Sequence, residues 1–388
     1  MARNLHLELI PSGWKYDLLD KFAKRCSGHT PSKSCPEYWN GGIKWISLAD
    51  SHRLDKGYVF QTDKEISQEG INNSSAEIHP AETVVLSRDA GIGKSGVMAE
   101  PMAVSQHFIA WKCDNLNKIY SWFLYYWLQL YQKEFERQAV GSTIKTIGLP
   151  YFKKLKIALP PFSEQKKIAQ ILSTWGKTIT ITEKLLANSE QQKKALMQQL
   201  LTGKKHFPGF DSVWKKVELG KLLDYQQPTP YLVKSTGYSN EHQVPVLTAG
   251  KTFILGYTNE DFGIFNKNLP VIIFDDFTTA SKFVNFPFKA KSSAMKILEA
   301  KEGISIKYVF EAMQILKYPI GGHQRHWISI FANLVVGLPS SEEQQKIASV
   351  LSTADLEIEV LKQKLCCLRQ EKKALIQQLL TGKRRVSI

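Results

Sequence analysis

Two stretches of the chain repeat apolar residues at alternating steps of four and three. In the later stretch the series has one polar member and runs through Ile347, Leu351, Ala354, Ile358, Leu361, Leu365, Leu368, Lys372, Leu375 and Leu379. In the earlier stretch it runs through Ile168, Leu172, Trp175, Ile179, Thr182, Leu186, Ser189, Lys193, Leu196 and Leu200. This spacing keeps one stripe of a helix facing a partner helix, which is typical of coiled-coil packing.

The signals expected at helix ends surround both stretches. Proline lies just upstream of each one, at Pro160 and Pro339, and Ser163 or Ser341 is the predicted cap. Glycine stands where each helix should stop, at positions 203 and 382, and only Gly176 interrupts the interior. About 38 residues at 1.5 Å each predict two rods of about 57 Å.

The two stretches are copies of one another. Residues 159–205 align without a gap onto residues 338–384, including Glu164-Gln165 on Glu343-Gln344. Some 130 residues of intervening domain must return the chain to the start of the second rod, so we expect an antiparallel intramolecular coiled coil. The matching Lys193 and Lys372 either fix its register or, as we favour, snorkel out at a wet edge.

The rest of the chain divides into two domains, 1–158 and 206–337, around the helical segments 159–205 and 338–388. Both domains have short apolar strands, such as Thr83–Ser87 and Val271–Phe274, and a Trp-Lys pair opens each. Each then has a late helix, a polar loop with glycine, and a predicted closing strand at Tyr151–Leu155 or Ile330–Leu334. The pattern predicts an α+β fold with two similar globular domains related by a pseudo-two-fold.

Charge narrows the class of partner. Lys and Arg number 51 against 36 Asp and Glu, a net charge of +15, which favours a polyanion and leaves DNA, RNA and an anionic membrane open. The most apolar run, Ile119–Tyr131, is well short of the ~20 residues of a membrane span, so a buried helix is expected. No secretory signal is evident, and five cysteines indicate a reducing cytoplasm. Cys26, His29 and Cys35 lack a second close ligand pair, which disfavours a zinc finger.

Motifs that imitate catalytic or nucleotide sites are incomplete. Residues 90–95 resemble a phosphate-binding loop, but Arg88 stands where the first glycine belongs, so a strand–turn is preferred. Asp276 with the segment Glu299–Lys301 only faintly matches a metal-dependent nuclease, a pattern common by chance. No Asn/Asp-Pro-Pro-aromatic pocket of a methyltransferase and no convincing triad is evident. We therefore expect neither a catalytic site nor a metal.

Several motifs in one order resemble the specificity subunits of type I restriction–modification enzymes over essentially the whole chain. The first domain carries residues 28–33 (GHTPSK) and 38–47 (YWNGGIKWIS). The second carries residues 225–229 (YQQPT), 245–251 (PVLTAGK), 274–279 (FDDFTT) and 291–295 (KSSAM). The helix entries, LPxxxEQxKIA at 159–169 and 338–348, are similar to the family's two conserved regions.

The resemblance implies a non-catalytic subunit that gives a complex its DNA specificity. Each domain would be a target-recognition domain for one half-site of double-stranded DNA, with the helices as a spacer. Two adenine methyltransferase (modification) subunits and restriction (motor and nuclease) subunits would be its partners. S-adenosylmethionine, ATP and Mg²⁺ would belong to those partners, with no cofactor in this chain. A free-standing bipartite DNA-binding regulator is the alternative.

Candidate DNA contacts follow from loops that combine glycine with hydrogen-bonding side chains. In the second domain, residues 321–327 are the first choice for contacts with bases, the alternative being a structural turn, and residues 141–146 are their counterpart in the first domain. The predicted contacts are Arg88, Lys94, Ser142, Thr143, Lys145, Thr248, Lys251, Thr278, Thr279, Lys282, Lys291, Ser292, His323, Gln324, Arg325 and His326. The target bases and the gap between half-sites are not encoded in any simple pattern.

Overall fold

A computed structural model describes residues 10–114, 118–141, 145–250, 252–317 and 326–387 of the chain. The described residues form two compact units. Unit 1 falls within Met1–Ile181 and Leu365–Ile388, and unit 2 is Thr182–Lys364. Each unit therefore contains one globular domain and a part of both repeated helices.

The first part of the chain contains ten strands and five helices among its described residues. The strands are β1 Lys15–Leu18, β2 Lys24–Ser27, β3 Trp39–Ile46, β4 Tyr58–Val59, β5 Lys64–Ile66, β6 Val84–Ser87, β7 Ser95–Met98, β8 Ala103–Val104, β9 Phe108–Lys112 and β10 Lys156–Leu159. The helices are α1 Gln68–Asn72, α2 Ser121–Leu130, α3 Gln132–Gln138, α4 Leu149–Lys153 and α5 Phe162–Leu200.

The second part repeats the plan. Its described strands are β11 Lys215–Glu218, β12 Leu223–Gln226, β13 Val244–Leu247, β14 Ile254–Thr258, β15 Val271–Asp275, β16 Ser281–Val284, β17 Lys289–Ala290, β18 Met295–Ala300 and β19 Val335–Leu338. Its helices are α6 Leu219–Leu222, α7 Ile306–Ile315, α8 His326–Ser329 and α9 Ser341–Leu379. No helix in the described ranges is both long and apolar enough to cross a membrane.

The two units share one strand order, which confirms the prediction of two similar α+β domains. In unit 1 the largest sheet runs β2-β9-β6-β7, with β4 added at its end. In unit 2 it runs β12-β18-β15-β16. The late helices α2 and α7 lie at the same point in the chain order, and their apolar residues enter the main core of each unit. The aromatic run Phe123–Trp127 is buried there, as expected.

The strands that close each domain lie later than the sequence predicted. The predicted strand Tyr151–Leu155 is mostly helix α4, because Pro150 favours the first turn of a helix and the N–H of Tyr151 bonds to the carbonyl of Gly148. The matching segment of unit 2 forms a 3₁₀ turn at Phe331–Asn333. The closing strands are β10 and β19, and each pairs antiparallel with the strand that follows the Trp-Lys opening.

The repeated helices pack antiparallel within each unit, as the return of the chain through the second domain predicted. In unit 2 the hydroxyl of Ser189 on α5 bonds to Glu357 on α9, and Glu190 pairs with Lys362. In unit 1 the start of α5 and the end of α9 enter one core through Ile168, Leu172, Leu379 and neighbouring residues. The stripe positions of both helices are buried or half-buried, which confirms the predicted seam.

The two lysines of the seam have different environments. Lys193 pairs with Glu311 at 3.1 Å and contacts Asp355, and its side chain is only 17% exposed. The expectation that this lysine snorkels into solvent is therefore wrong, because two acids supply a partner inside unit 2. In unit 1, Lys372 lies over the ring of Tyr126, 5.8 Å from its centroid. Burial lowers the pKa of Lys372 below its usual range.

The repeated Glu-Gln pair holds each domain onto its helix. Gln165 is buried, accepts the N–H of Tyr120 at the start of α2 and donates to the carbonyl of Pro160. Gln344 does the same in unit 2 with the N–H of Ser305 and the carbonyl of Pro339. One side chain thus joins the residue before the late helix to the entry of the long helix.

The glutamate of the pair binds the tail that follows the opposite helix. The buried Glu164 accepts two hydrogen bonds from the Arg385 guanidinium, at 2.7 and 2.8 Å. In unit 2 the buried Glu343 accepts from Trp214 and contacts His206, which is the matching position of the repeat. The repeat therefore preserves the contacts at its own ends.

The helix ends agree with the sequence except at the caps. Gly203 and Gly382 adopt φ of 68° and 71°, the left-handed conformation that glycine allows after a helix. Ser341 is the first helical residue of α9, and the capping hydroxyl belongs to Ser340, which accepts the N–H of Glu343. Proline replaces this serine before α5, at position 161, so Ser163 lies inside the helix and does not cap it.

Candidate nucleic-acid interface

In unit 2, the turn between β15 and β16 is shaped by the side chain of Asp275. Its Oδ1 accepts the N–H groups of Phe277 and Thr278, at 3.0 and 2.7 Å, which makes an Asx turn. Thr279 follows in the left-handed region, with φ of 59°. The turn leaves Thr278 and Phe277 exposed, and Phe277 is 53% accessible to solvent. It therefore offers a hydroxyl and a flat apolar ring side by side.

The next residue of the turn, Asp276, points inward and is part of a buried ion pair. Its Oδ2 lies 3.3 Å from the ammonium of Lys296, and both side chains are almost fully buried. Its Oδ1 accepts the N–H of Trp327 at 3.0 Å. Trp327 is the second residue of α8 and the last residue of the predicted contact loop, so this carboxylate fixes the end of that loop. Asp276 and Glu299 have separate partners, since Glu299 accepts from Asn268.

Two backbone hydrogen bonds bring further turns of unit 2 to the same place. The N–H of Lys291 bonds to the carbonyl of Leu247, and the N–H of Asp276 bonds to the carbonyl of Ala294, each at 3.0 Å. Thr248 follows Leu247 and donates within its own tight turn. The ammonium of Lys291 lies 5.6 Å from the ring centroid of Tyr238. Segments 247–250, 275–280, 291–294 and 326–327 therefore converge.

The corresponding turn of unit 1 joins β6 to β7. The N–H of Ser87 bonds to the carbonyl of Lys94 at 2.8 Å, and Gly93 closes the turn with φ of 81°. The Lys94 ammonium donates to the carbonyl of Ser51 at 3.3 Å. A phosphate-binding loop leads from a strand into a helix, whereas this turn joins antiparallel strands, as the preferred interpretation predicted.

Beside this turn lies a cluster of four polar side chains. The carboxylate of Asp89 contacts the ring of His107 and the hydroxyl of Thr146. Arg88 lies next to them, with Nη2 at 3.5 Å from the Thr146 hydroxyl and Nε at 3.7 Å from Asp89. The Arg88 side chain is 19% exposed, and its five N–H donors outnumber these two contacts.

The predicted contact loop of unit 1 is tied to this cluster at both ends. Val140 and Thr146 exchange two backbone hydrogen bonds, at 3.0 and 2.9 Å, around the loop. The N–H of Ile147 bonds to the carbonyl of Arg88 at 2.9 Å. The exposed Lys145 lies within this closed loop.

The two sites are equivalent in scaffold and different in chemistry. The N–H of Arg88 bonds to the carbonyl of His107 just before β9, as the N–H of Asp276 bonds to Ala294 just before β18. Arg88 and Asp276 thus hold matching positions, one as a half-buried cation and the other as a buried acid. Equivalent turns with unlike side chains present different hydrogen-bonding groups.

The GHTPSK and YWNGGIKWIS motifs of unit 1 form one structural clamp. The indole N–H groups of Trp39 and Trp45 donate to the carbonyls of Ser32 and His29, both at 3.0 Å. A Cβ on Gly28 would lie 2.0 Å from the carbonyl oxygen of Val104, so only glycine fits. The motif therefore shapes the segment that precedes β3.

The structure brings part of the predicted contact set together. In unit 2, the converging turns hold Thr248, Thr278, Thr279, Lys291 and Ser292, while Lys282 lies on β16 beside them. In unit 1, Arg88, Lys94 and Lys145 lie on adjacent segments. The predictions that lie outside the described residues are Ser142, Thr143, Lys251, His323, Gln324, Arg325 and the side chain of His326.

Sequence reasoning missed three residues that shape these sites. Phe277, the exposed ring of the Asx turn, was not among the predicted contacts, and Asp89 and His107 were not linked to Arg88. Position at the end of an apolar strand was the available signal, because acidic residues at such positions commonly form turns. The contacts across the fold, such as Asp276 with Lys296, had no local signal.

Comparison with known proteins places the chain in a family. The model for the type I restriction modification DNA specificity domain matches residues 11–191 and again residues 211–368. The chain is 43% identical to the EcoR124I/EcoR124II specificity subunit of Escherichia coli over 161 residues, which cover 40% of this chain and 39% of that protein. It is 24% identical to the MjaVIII specificity subunit of Methanocaldococcus jannaschii, covering 99% of this chain and 96% of that one.

A solved structure shows the same fold over nearly the whole length. The type I restriction-modification S subunit from M. genitalium superposes with a TM-score of 0.66, at 16% identity and 98% coverage of both chains. The family model occurs twice, once over each domain with its helix, in agreement with the duplicated architecture. The chain belongs to the type I restriction modification DNA specificity family.

Proposed function

We propose that this chain selects the DNA sequence on which a type I restriction–modification complex acts, with one half-site contacted by each unit. The observation that carries the proposal is the pair of equivalent turn clusters, built on one strand order and furnished with different side chains. Each cluster offers the hydrogen-bonding groups that distinguish base pairs in the major groove. The net charge of +15 supplies the nonspecific attraction for phosphate.

The repeated helices act in this proposal as a spacer. Helices α5 and α9 have 39 residues each, about 58 Å at the usual rise per residue. A rod of fixed length fixes the number of base pairs between half-sites, because each turn of B-DNA spans about 34–36 Å. The antiparallel seam inside each unit gives the rods the required stiffness.

Two modification subunits and restriction subunits are the proposed partners, with S-adenosylmethionine, ATP and Mg²⁺ bound by them. The helices have an outward apolar face that a partner helix can cover. Leu356 and Val360, one turn apart on α9, are 65% and 53% exposed. The chain itself is proposed to be non-catalytic, since its suspected nuclease acids are engaged by Lys296 and Asn268.

Methylome sequencing of cells that express the chain with its modification subunits tests the proposal. We expect adenine methylation at one bipartite sequence with a gap of constant length. Replacing residues 10–158 by the first domain of another family member should change one half-site and leave the other half-site and the gap unchanged. Methylation without a bipartite motif, or a swap that changes both half-sites, would refute it. Specific DNA binding without any capture of modification subunits would favour the regulator.

A further inference from the structure

A cluster in unit 1 away from the turn sites combines three metal-binding residue types. Cys26 lies on β2, and Glu77 and His79 lie on the segment between α1 and β6. The sulfur of Cys26, a carboxylate oxygen of Glu77 and a ring nitrogen of His79 all lie within 4.8 Å of one another. Two separate parts of the chain therefore bring these ligand atoms to one point.

The state of His79 points to a missing ligand. The residue is 0% exposed, and both of its ring nitrogens are buried without a hydrogen-bond partner. Buried polar side-chain atoms nearly always have a partner, and an imidazole in the protein interior would ordinarily use both nitrogens. Burial lowers the pKa of His79 to about 4, so the ring is neutral at pH 7, which is the form that binds metals.

We propose that Cys26, Glu77 and His79 bind one zinc ion. A thiolate, an imidazole and a carboxylate suit Zn²⁺, whereas Mg²⁺ and Ca²⁺ prefer oxygen ligands. Three protein ligands leave a fourth tetrahedral position for water. Tetrahedral zinc bonds of about 2.0–2.3 Å place ligand atoms about 3.5 Å apart, so the three groups need to approach by about 1 Å. The side chain of Glu77 is exposed at the surface.

One nearby cation, Lys112, should weaken metal binding by charge repulsion and therefore provides a further test. The ammonium of Lys112 on β9 lies 3.6 Å from a Glu77 oxygen, and that glutamate side chain is 62% exposed. An exposed ion pair of this kind is weak, and the second carboxylate oxygen remains available to the metal. Removing the charge with Lys112→Gln should therefore tighten metal binding.

The proton balance of binding is simple. Burial raises the pKa of the Cys26 thiol, so the thiol is protonated at pH 7. Binding exchanges the S–H bond for an S–Zn bond and releases that proton to solvent. His79 is already neutral, because burial lowers its pKa. Strand β2 lies at the edge of the five-stranded sheet, and His79 forms an isolated β-bridge with Met102. A bound metal would join β2 to the segment that contains His79.

Titration of the purified full-length chain with Co²⁺ and Zn²⁺ tests this site. We expect one equivalent of Co²⁺ to give a thiolate-to-cobalt charge-transfer band, Zn²⁺ to displace it, and about one proton to be released per metal. Cys26→Ser should abolish the band, and Glu77→Gln, an exposed change that spares folding, should weaken binding at least tenfold. Cys35→Ser is the matched control and should leave both unchanged.

Three results would overturn the site. The first is the absence of a stoichiometric band in the unmodified chain. The second is a band that survives Cys26→Ser, which means adventitious binding elsewhere. The third is an affinity that falls in Lys112→Gln. DNA specificity can be measured separately on the same variants, so failure of the metal site leaves the proposed function untouched.

Discussion

Removing the negative charge of Asp276 should destabilise unit 2 strongly, because Lys296 is then a buried cation without its carboxylate partner. The variant Asp276→Asn keeps an oxygen for the N–H of Trp327, so it isolates the charge from the hydrogen bond. Both side chains of the pair are no more than 3% exposed. Breaking a buried pair by removing one partner costs about 3–5 kcal/mol.

A double variant separates the cost of leaving Lys296 unpaired from the cost of burying the ion pair. Replacing both partners, as Asp276→Asn with Lys296→Met, removes the uncompensated cation and should recover most of the lost stability, since an apolar replacement of a buried pair is often neutral. A matched surface pair serves as the control. Glu218 and Lys221 are 3.1 Å apart with side chains 43% and 71% exposed, so Glu218→Gln should cost about 0–1 kcal/mol.

Urea unfolding of the full-length chain, followed by tryptophan fluorescence and by circular dichroism, measures these differences. Trp327 is 2% exposed and contacts the ring of Phe274, so its emission reports on the region beside the pair. The reasoning is refuted if Asp276→Asn costs no more than Glu218→Gln. It is also refuted if the double variant is as unstable as the single one, since the buried cation would then not be the cause.

Four further predictions concern single residues. Gly176→Asp should raise the melting temperature above that of Gly176→Asn, because a Cβ there lies 3.2 Å from the Lys372 ammonium. Burial lowers the pKa of Lys372 in the folded chain, so the unfolded chain binds the lysine proton more tightly. The free energy of unfolding should therefore rise as pH increases from the folded pKa towards the ordinary lysine value of 10.5. The variant Lys372→Met should flatten this rise. Arg385→Ala should lower the melting temperature by leaving the buried Glu164 without its guanidinium, with Arg385→Lys intermediate. Arg325→Ala should cost about 1–3 kcal/mol at one half-site only, measured by binding to single-base variants; uniform weakening would indicate a phosphate contact.

The sequence predicted the helices well because their signals are local and repeated. The alternating steps of four and three place Ile347, Leu351 and their successors on one face whatever lies opposite, and glycine marks both helix ends. The closing strands were predicted too early because their local sequence signals are weak. A run of four or five mixed residues has no periodicity strong enough to separate a short helix from a strand, and pairing with β1 or β11 decides the outcome.

The sites were only partly predictable because their geometry is built by contacts between distant residues. Thr278 and Lys291 were found from composition, yet their proximity depends on the bond from Asp276 to Ala294. The role of Lys193 was misjudged because Glu311 and Asp355 lie far away in sequence. A charged residue at a seam position signals either solvent or a buried partner, and the sequence alone does not distinguish these environments.

Duplication explains which positions the two units share and which they do not. Gln165 and Gln344 have the same bonds because each joins the start of a late helix to the entry of its own long helix, whatever DNA is recognised. Arg88 and Asp276 occupy equivalent positions but differ, which is expected if, as we propose, the turn there contacts the target. If that division is correct, exchanging the turns alone should move specificity less completely than exchanging whole domains, since Asp276 works only together with Lys296 on another strand.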